Sequence, residues 1–117
     1  MSELKRGEVW LVNLDPTVGH EIKKSRPAII IQNDLGNKYS PITIIAPITS
    51  QNLEKVYPIE VLLIRTAGLE KNSKVLLNQI RAIDKRRLMK KLGRVDIETM
   101  AKVDAAMRIS LGLIEIN

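Results

Sequence analysis

Five β-prone apolar runs, none long enough for a buried helix, constrain what this chain can fold into. They are Glu8–Leu14, Pro27–Gln32, Ile42–Thr49, Ile59–Ile64 and Ser73–Arg81, each set off by turn chemistry. In the first run Val9, Leu11 and Asn13 share one face, and Trp10, Val12 and Leu14 share the other. Asn33-Asp34-Leu35-Gly36-Asn37 reads as a turn. Pro47 places its run at a sheet edge or near the run's own end. Helical chemistry begins at Asp84, an N-cap before the basic stretch Lys85–Lys91, and stops at Gly93, with a short strand through Arg94 and Val95. Asp96 caps a last helix, where Met100, Val103, Met107, Leu111 and Ile114 form one apolar stripe. The expected fold class is therefore α+β. Five to seven short strands close most easily into a small barrel, accompanied by a short basic helix and a long C-terminal helix.

The 117 residues suit a single domain, 1–117, with no repeat or linker inside it. There is no cysteine, so neither a disulfide nor a thiolate metal site exists. One histidine and scattered carboxylates offer no metal-ligand cluster, and no metal or other cofactor is expected. The N-terminus runs straight into charge, and no apolar run approaches a membrane span. A soluble, unprocessed, cytoplasmic protein is expected. Nineteen Lys and Arg against thirteen Asp and Glu give a net charge of +6, which favours anionic partners such as nucleic acid or acidic protein. The only aromatic residues are Trp10, Tyr39 and Tyr57, too few for a base-stacking sheet.

The polar loop from Gly19 ends at Arg26-Pro27, where the chain plunges into an isoleucine-rich strand. An arginine at a strand mouth is held by the scaffold yet faces solvent. That suits repeated contact with phosphate in one geometry, and it equally serves to solvate a strand end. Thr49 closes the third run, where its hydroxyl can hydrogen-bond a ligand or simply finish a strand. His20 is the natural acid–base group, or a loop residue without a fixed role. Glu21 braces Arg26, contacts a ligand or solvates the loop; Lys23 and Lys24 add positive charge there. Asn33, Ser50, Gln51, Tyr57 and Gln79 lie at strand ends or in loops near Arg26 and Thr49. Amides are able to read base edges and a tyrosine ring to stack on a base, and each alone serves equally as a plain surface residue. Six basic residues fall in the ten from Lys85 to Arg94, either a phosphate-tracking patch or a solvated face.

Several pieces recur in one order: Arg6-Gly7-Glu8-Val9-Trp10, Gly19-His20-Glu21, Arg26-Pro27, Ile31-Gln32-Asn33-Asp34 and Ala46-Pro47-Ile48-Thr49. Leu77 to Leu88 and Val103-Asp104 continue the series. On these residues the chain resembles the MazF/PemK family, toxins of bacterial type II toxin–antitoxin systems, over essentially its whole length. The resemblance implies an SH3-like barrel with a C-terminal helix, working as a homodimer. It implies a sequence-specific, metal-independent endoribonuclease acting on single-stranded RNA, and a cognate antitoxin whose acidic, flexible segment blocks the RNA groove. It implies Arg26 and Thr49 as the catalytic pair, and RNA contacts from among His20, Glu21, Lys23, Lys24, Asn33, Ser50, Gln51, Tyr57 and Gln79. The loop departs from many relatives in carrying Ile22-Lys23-Lys24 where they are small and glycine-rich. Two other readings use the same barrel. A gyrase-targeting toxin would carry a tryptophan near the C-terminus, whereas the only one here is Trp10. A non-catalytic RNA-binding barrel has no need of both matched catalytic positions.

Overall fold

A computed structural model describes residues 3–21 and 24–115. In chain order the elements are β1 (Glu8–Asn13), β2 (Ser25–Ile30), α1 (Asp34–Tyr39), β3 (Ile42–Thr49), β4 (Glu60–Leu63) and β5 (Ser73–Leu76). Then come β6 (Arg81–Asp84), a 3-10 turn at Lys85–Arg87, β7 (Leu88–Arg94) and α2 (Ile97–Ser110). The strands form an antiparallel sheet in the order β4-β5-β3-β2-β1-β7, with β6 also paired to β3.

Both faces of the sheet are buried. One face presents Val9, Ile29, Ala46, Ile48, Val61 and Val75 to α2, which supplies Val103 and Ala106 and leans Met100 and Met107 against them. The other presents Val12, Leu14, Ala28, Ile30, Ile45 and Ile83, with Trp10 and Leu88 packed alongside. The alternation expected in the first run is therefore observed, with Val9 on the α2 side and Val12 and Leu14 opposite. The expected stripe outruns the helix: α2 ends at Ser110, and Leu111 at its C-cap and Ile114 beyond it remain about half exposed.

Three expectations need correction. The stretch 33–37 is not a loop turn but the start of α1. Asn33 Oδ1 accepts the Gly36 N–H at 2.7 Å as an N-cap, the same short polar chemistry that makes turns. Buried Asn37 then anchors the helix, donating to Gln32 O and accepting from the Thr43 hydroxyl at 2.7 Å. The basic helix does not form either. Asp84 caps only the 3-10 turn, accepting from Arg86 N–H at 2.8 Å, and Leu88–Arg94 continue as β7 along the edge of β1. That unpaired edge offers a full ladder of backbone partners, which outweighs the modest helix propensity of Lys, Arg, Leu and Met. The run Ser73–Arg81 is broken by a turn into β5 and β6, so that β3 pairs β6 along its first half and β5 at its end.

Pro47 lies near the end of β3, one of the two places expected for it, and within the sheet, not at its edge. Ile44 O accepts from Ile31 N, so by alternation the backbone of Pro47 faces away from β2. On that side β6 pairs up to Ile45 and β5 begins at Ile48. The missing donor falls in a gap of the ladder.

The two ends of the strand path meet. The loop after β4 presses on β7 so closely that a Cβ on Gly68 would lie 1.9 Å from Leu92 O, and one on Gly93 would lie 2.4 Å from Ala67 C. Gly68 also adopts a φ of +82°, which favours glycine.

Candidate active site

The register of the sheet assembles the site. β2 and β3 pair with Ala28 opposite Pro47. Continuing that register by two residues sets Arg26 opposite Thr49. Arg26 is also opposite Val12 on β1, and Thr49 is opposite Lys74 on β5. Directly opposed residues point to the same face. Arg26, Thr49 and Lys74 thus form a row on the face away from α2, where the apolar layer of Ala28 and Ile45 gives way to polar side chains. Arg26 is the second residue of β2, not a residue before it, so its backbone is fixed by the ladder while its half-buried side chain reaches an open cleft.

That cleft has a volume of about 300 Å³ and is lined by His20, Arg26, Thr49, Gln51, Asn52, Glu60, Lys74, Leu76 and Gln79. The Thr49 hydroxyl oxygen accepts the Gln51 N–H at 3.2 Å, a local turn that orients the hydroxyl. Five of the residues singled out in the sequence, His20, Arg26, Thr49, Gln51 and Gln79, therefore meet in one place. Ser50 lines an adjoining hollow with Arg26, Pro27, Gly68 and Lys71. Glu21 lies elsewhere: its carboxylate accepts the Val18 N–H at 2.5 Å, and it lines a smaller hollow with Asn78, Gln79 and Arg81. Lys24 is exposed at the base of the loop, its N–H donating to Asp15 at 3.0 Å. Lys23 lies outside the described residues. Tyr57 is half exposed beside the Lys55 ammonium and does not line the cleft. Asn33 is the clearest correction among the candidates. It sits beyond the far end of β2, and its side-chain oxygen is committed to capping α1.

Sequence reasoning missed Asn52, Glu60 and Lys74. A lysine in a strand reads as a solvent-facing residue, yet Lys74 is only 4% exposed. The basic segment proves largely structural: Lys85 donates to Asn37 O, Arg86 pairs with Asp84, Arg87 donates to Asn13 O and Asp15 O, and Lys91 pairs with Glu8. The carboxyls held below their ordinary values all lie outside the cleft. Asp84, for example, is held down by the Arg86 guanidinium, and Asp34 by the Arg6 N–H. Among the described residues no group of three or more His, Cys, Asp and Glu side chains could hold a metal ion. What the cleft does offer is a cation on a rigid strand, a hydroxyl on the neighbouring strand and an imidazole in the lining. Such a set can bind a phosphodiester and stabilise added charge on it.

Comparison with known proteins gives this geometry a context. Residues 5–111 match the PemK-like, MazF-like toxin family of type II toxin–antitoxin systems. The chain belongs to this family. It is 46% identical over 113 residues to Endoribonuclease EndoA of Bacillus subtilis (strain 168), spanning 96% of this chain and 97% of that one. A crystal structure of MazF from Deinococcus radiodurans superposes with a TM-score of 0.81 at 28% identity, over 96% of this chain and 99% of that one. A MazE–MazF structure from the same organism gives 0.72 at 26% identity, over 96% and 98%. The motifs that carried the PemK/MazF resemblance thus extend into agreement over nearly the whole chain, and the α+β antiparallel fold is that of MazF.

Proposed function

We propose that this chain is a sequence-specific, metal-independent endoribonuclease that cleaves single-stranded RNA, the growth-arresting toxin of a toxin–antitoxin pair. The observation that carries the reading is the placement of Arg26 and Thr49 on neighbouring strands at one cleft. The name of the EndoA relative supports the activity, and the MazE–MazF structure supports an antitoxin partner. The working unit is a cytoplasmic homodimer of a single domain, 1–117. The contact between the loop after β4 and β7 supports an SH3-like barrel closure of the sheet.

RNA brings its own nucleophile. The 2′-oxygen attacks the adjacent phosphorus and loses its proton, the bond from phosphorus to the 5′-oxygen breaks, and that oxygen takes up a proton. The products are a 2′,3′-cyclic phosphate and a 5′-hydroxyl. Arg26 presents N–H donors to the non-bridging oxygens as their charge grows, a role suited to a guanidinium, which keeps its protons. The Thr49 hydroxyl donates to the same phosphate or passes a proton. His20, Gln51 and Gln79 line the path for the flanking nucleotides, with Ser50 at its margin, and Lys24 adds attraction.

The experiment is cleavage of a long RNA by the pure protein, with mapping of 5′-hydroxyl ends. Wild-type protein is expected to cut at a short recurrent sequence in the presence of chelator. Arg26→Ala should lose roughly 10³-fold or more in rate while keeping its fold, since removing a charge-stabilising donor costs on this scale. A substrate with 2′-deoxyribose at the scissile nucleotide should survive. Cleavage of the deoxy substrate, or near-normal cleavage by Arg26→Ala, would overturn the mechanism.

A further inference from the structure

One buried ion pair in the cleft is not used by this chemistry. Lys74 lies opposite Thr49 in register, and its side chain is almost wholly enclosed. Its ammonium has three N–H donors and spends all three within the protein: on Asn52 O at 2.9 Å, on Lys55 O at 3.0 Å and on Glu60 Oε1 at 3.0 Å. The same Glu60 oxygen accepts the Tyr57 N–H at 3.0 Å. The pair therefore fastens three points of the loop between β3 and β4 to the side chains of β4 and β5. That loop contributes Gln51 and Asn52 to the lining of the cleft that holds Arg26. Asn52 turns there with a φ of +56°, a left-handed conformation that asparagine adopts more readily than other residues with a side chain.

An ion pair is an uneconomical way to fill a core, since two charges must leave water and an apolar pair of equal volume would serve as well or better. A lysine whose protons are all engaged has none left for a phosphate. Both facts separate Lys74 from catalysis and from simple packing, and leave the loop as what it acts upon.

We propose that Lys74 and Glu60 are positioning residues that set the loop of Gln51 and Asn52, and thereby determine how RNA is bound and which sequence is chosen, with little effect on the bond-breaking step. The proposal rests on the endoribonuclease reading above. Replacing one partner alone would strand a buried charge, so the informative change is Lys74→Met together with Glu60→Gln. It removes both charges, keeps an acceptor for the Tyr57 N–H, and frees the Asn52 and Lys55 carbonyls. With the full-length protein and an RNA carrying one preferred site, KM should rise about tenfold or more while kcat changes less than about threefold. Cleavage of near-cognate sites should gain relative to the preferred one. A folded double variant with unchanged KM and unchanged site preference overturns the proposal. So does one in which kcat falls and KM does not.

A second measurement needs no variant. The Tyr57 amide of the wild-type protein should exchange with solvent at least tenfold more slowly than its neighbours in the loop; exchange at the open-loop rate overturns the fastening. If the double variant does not fold, this measurement decides. If wild-type protein cleaves no RNA, the activity reading falls, and amide exchange still tests the fastening by itself.

Discussion

Thr49 shows how much depends on one hydroxyl. Its oxygen accepts the Gln51 N–H, which leaves the hydroxyl proton to be donated into the cleft beside Arg26. Valine has nearly the same shape and no hydroxyl, so Thr49→Val isolates that contribution. The expected result is a fall in kcat of roughly 10²-fold, with Thr49→Ser retaining most of the rate. Near wild-type activity in Thr49→Val would assign Thr49 to shape alone. Thr49 and Arg26 could be singled out in the sequence because each stands at one end of an apolar run, Arg26 directly before Pro27 and Thr49 two residues after Pro47, in an order shared with a known family. Lys74 and Glu60 were not, because their meeting depends on which residues of β4 and β5 are opposed, and neither residue type signals burial. Asn33 was misread for the converse reason: the chemistry that caps a helix is the chemistry that reads a base edge, and only the position of α1 tells them apart.

At the scale of elements, the strand runs and α2 could be read from period and capping, whereas the partition of residues 81–95 could not. That stretch has helical composition and strand structure, because the exposed edge of β1 lies ready to pair. A side-chain knot secures the junction. Buried Glu8 on β1 accepts from Lys91 of β7 at 2.9 Å, from Trp10 Nε1 at 3.0 Å and from Lys5 N–H at 3.1 Å. Burial pushes its carboxyl up, but these donors together outweigh burial and hold it below the ordinary value near 4.5. The folded state thus binds the proton less readily than the unfolded chain. The contribution to stability is complete above the unfolded value, and it is lost as pH falls through the depressed folded value. Denaturant unfolding of wild type and Glu8→Gln should show a difference at neutral pH that narrows below the ordinary carboxylate value. A difference independent of pH would mean that the knot acts through shape and not through charge.

For the whole molecule, the net charge of +6 pointed to an anionic partner but not to where it would lie. The fold redistributes that charge. Much of the basic segment 85–94 is engaged with carboxylates and backbone carbonyls, as is Arg6, which holds Ile31 O and Asp104 and ties the N-terminus to α2. Near the site stand Arg26 in the cleft, Lys71 in the hollow beside it, and Lys24 at the foot of the loop. RNA held by a site of this size meets about three phosphates, and each contributes a slope of about 0.7 on a single strand. A plot of log KM against log salt should therefore rise with a slope near 2, and Lys24→Gln or Lys71→Gln should each lower it by about 0.7. Neutralising Lys90, on the far side of β1, should leave the slope where it was. A slope above about 5 would need more phosphates than the cleft can meet. It would place the RNA path along β7 and return the basic segment to the binding surface.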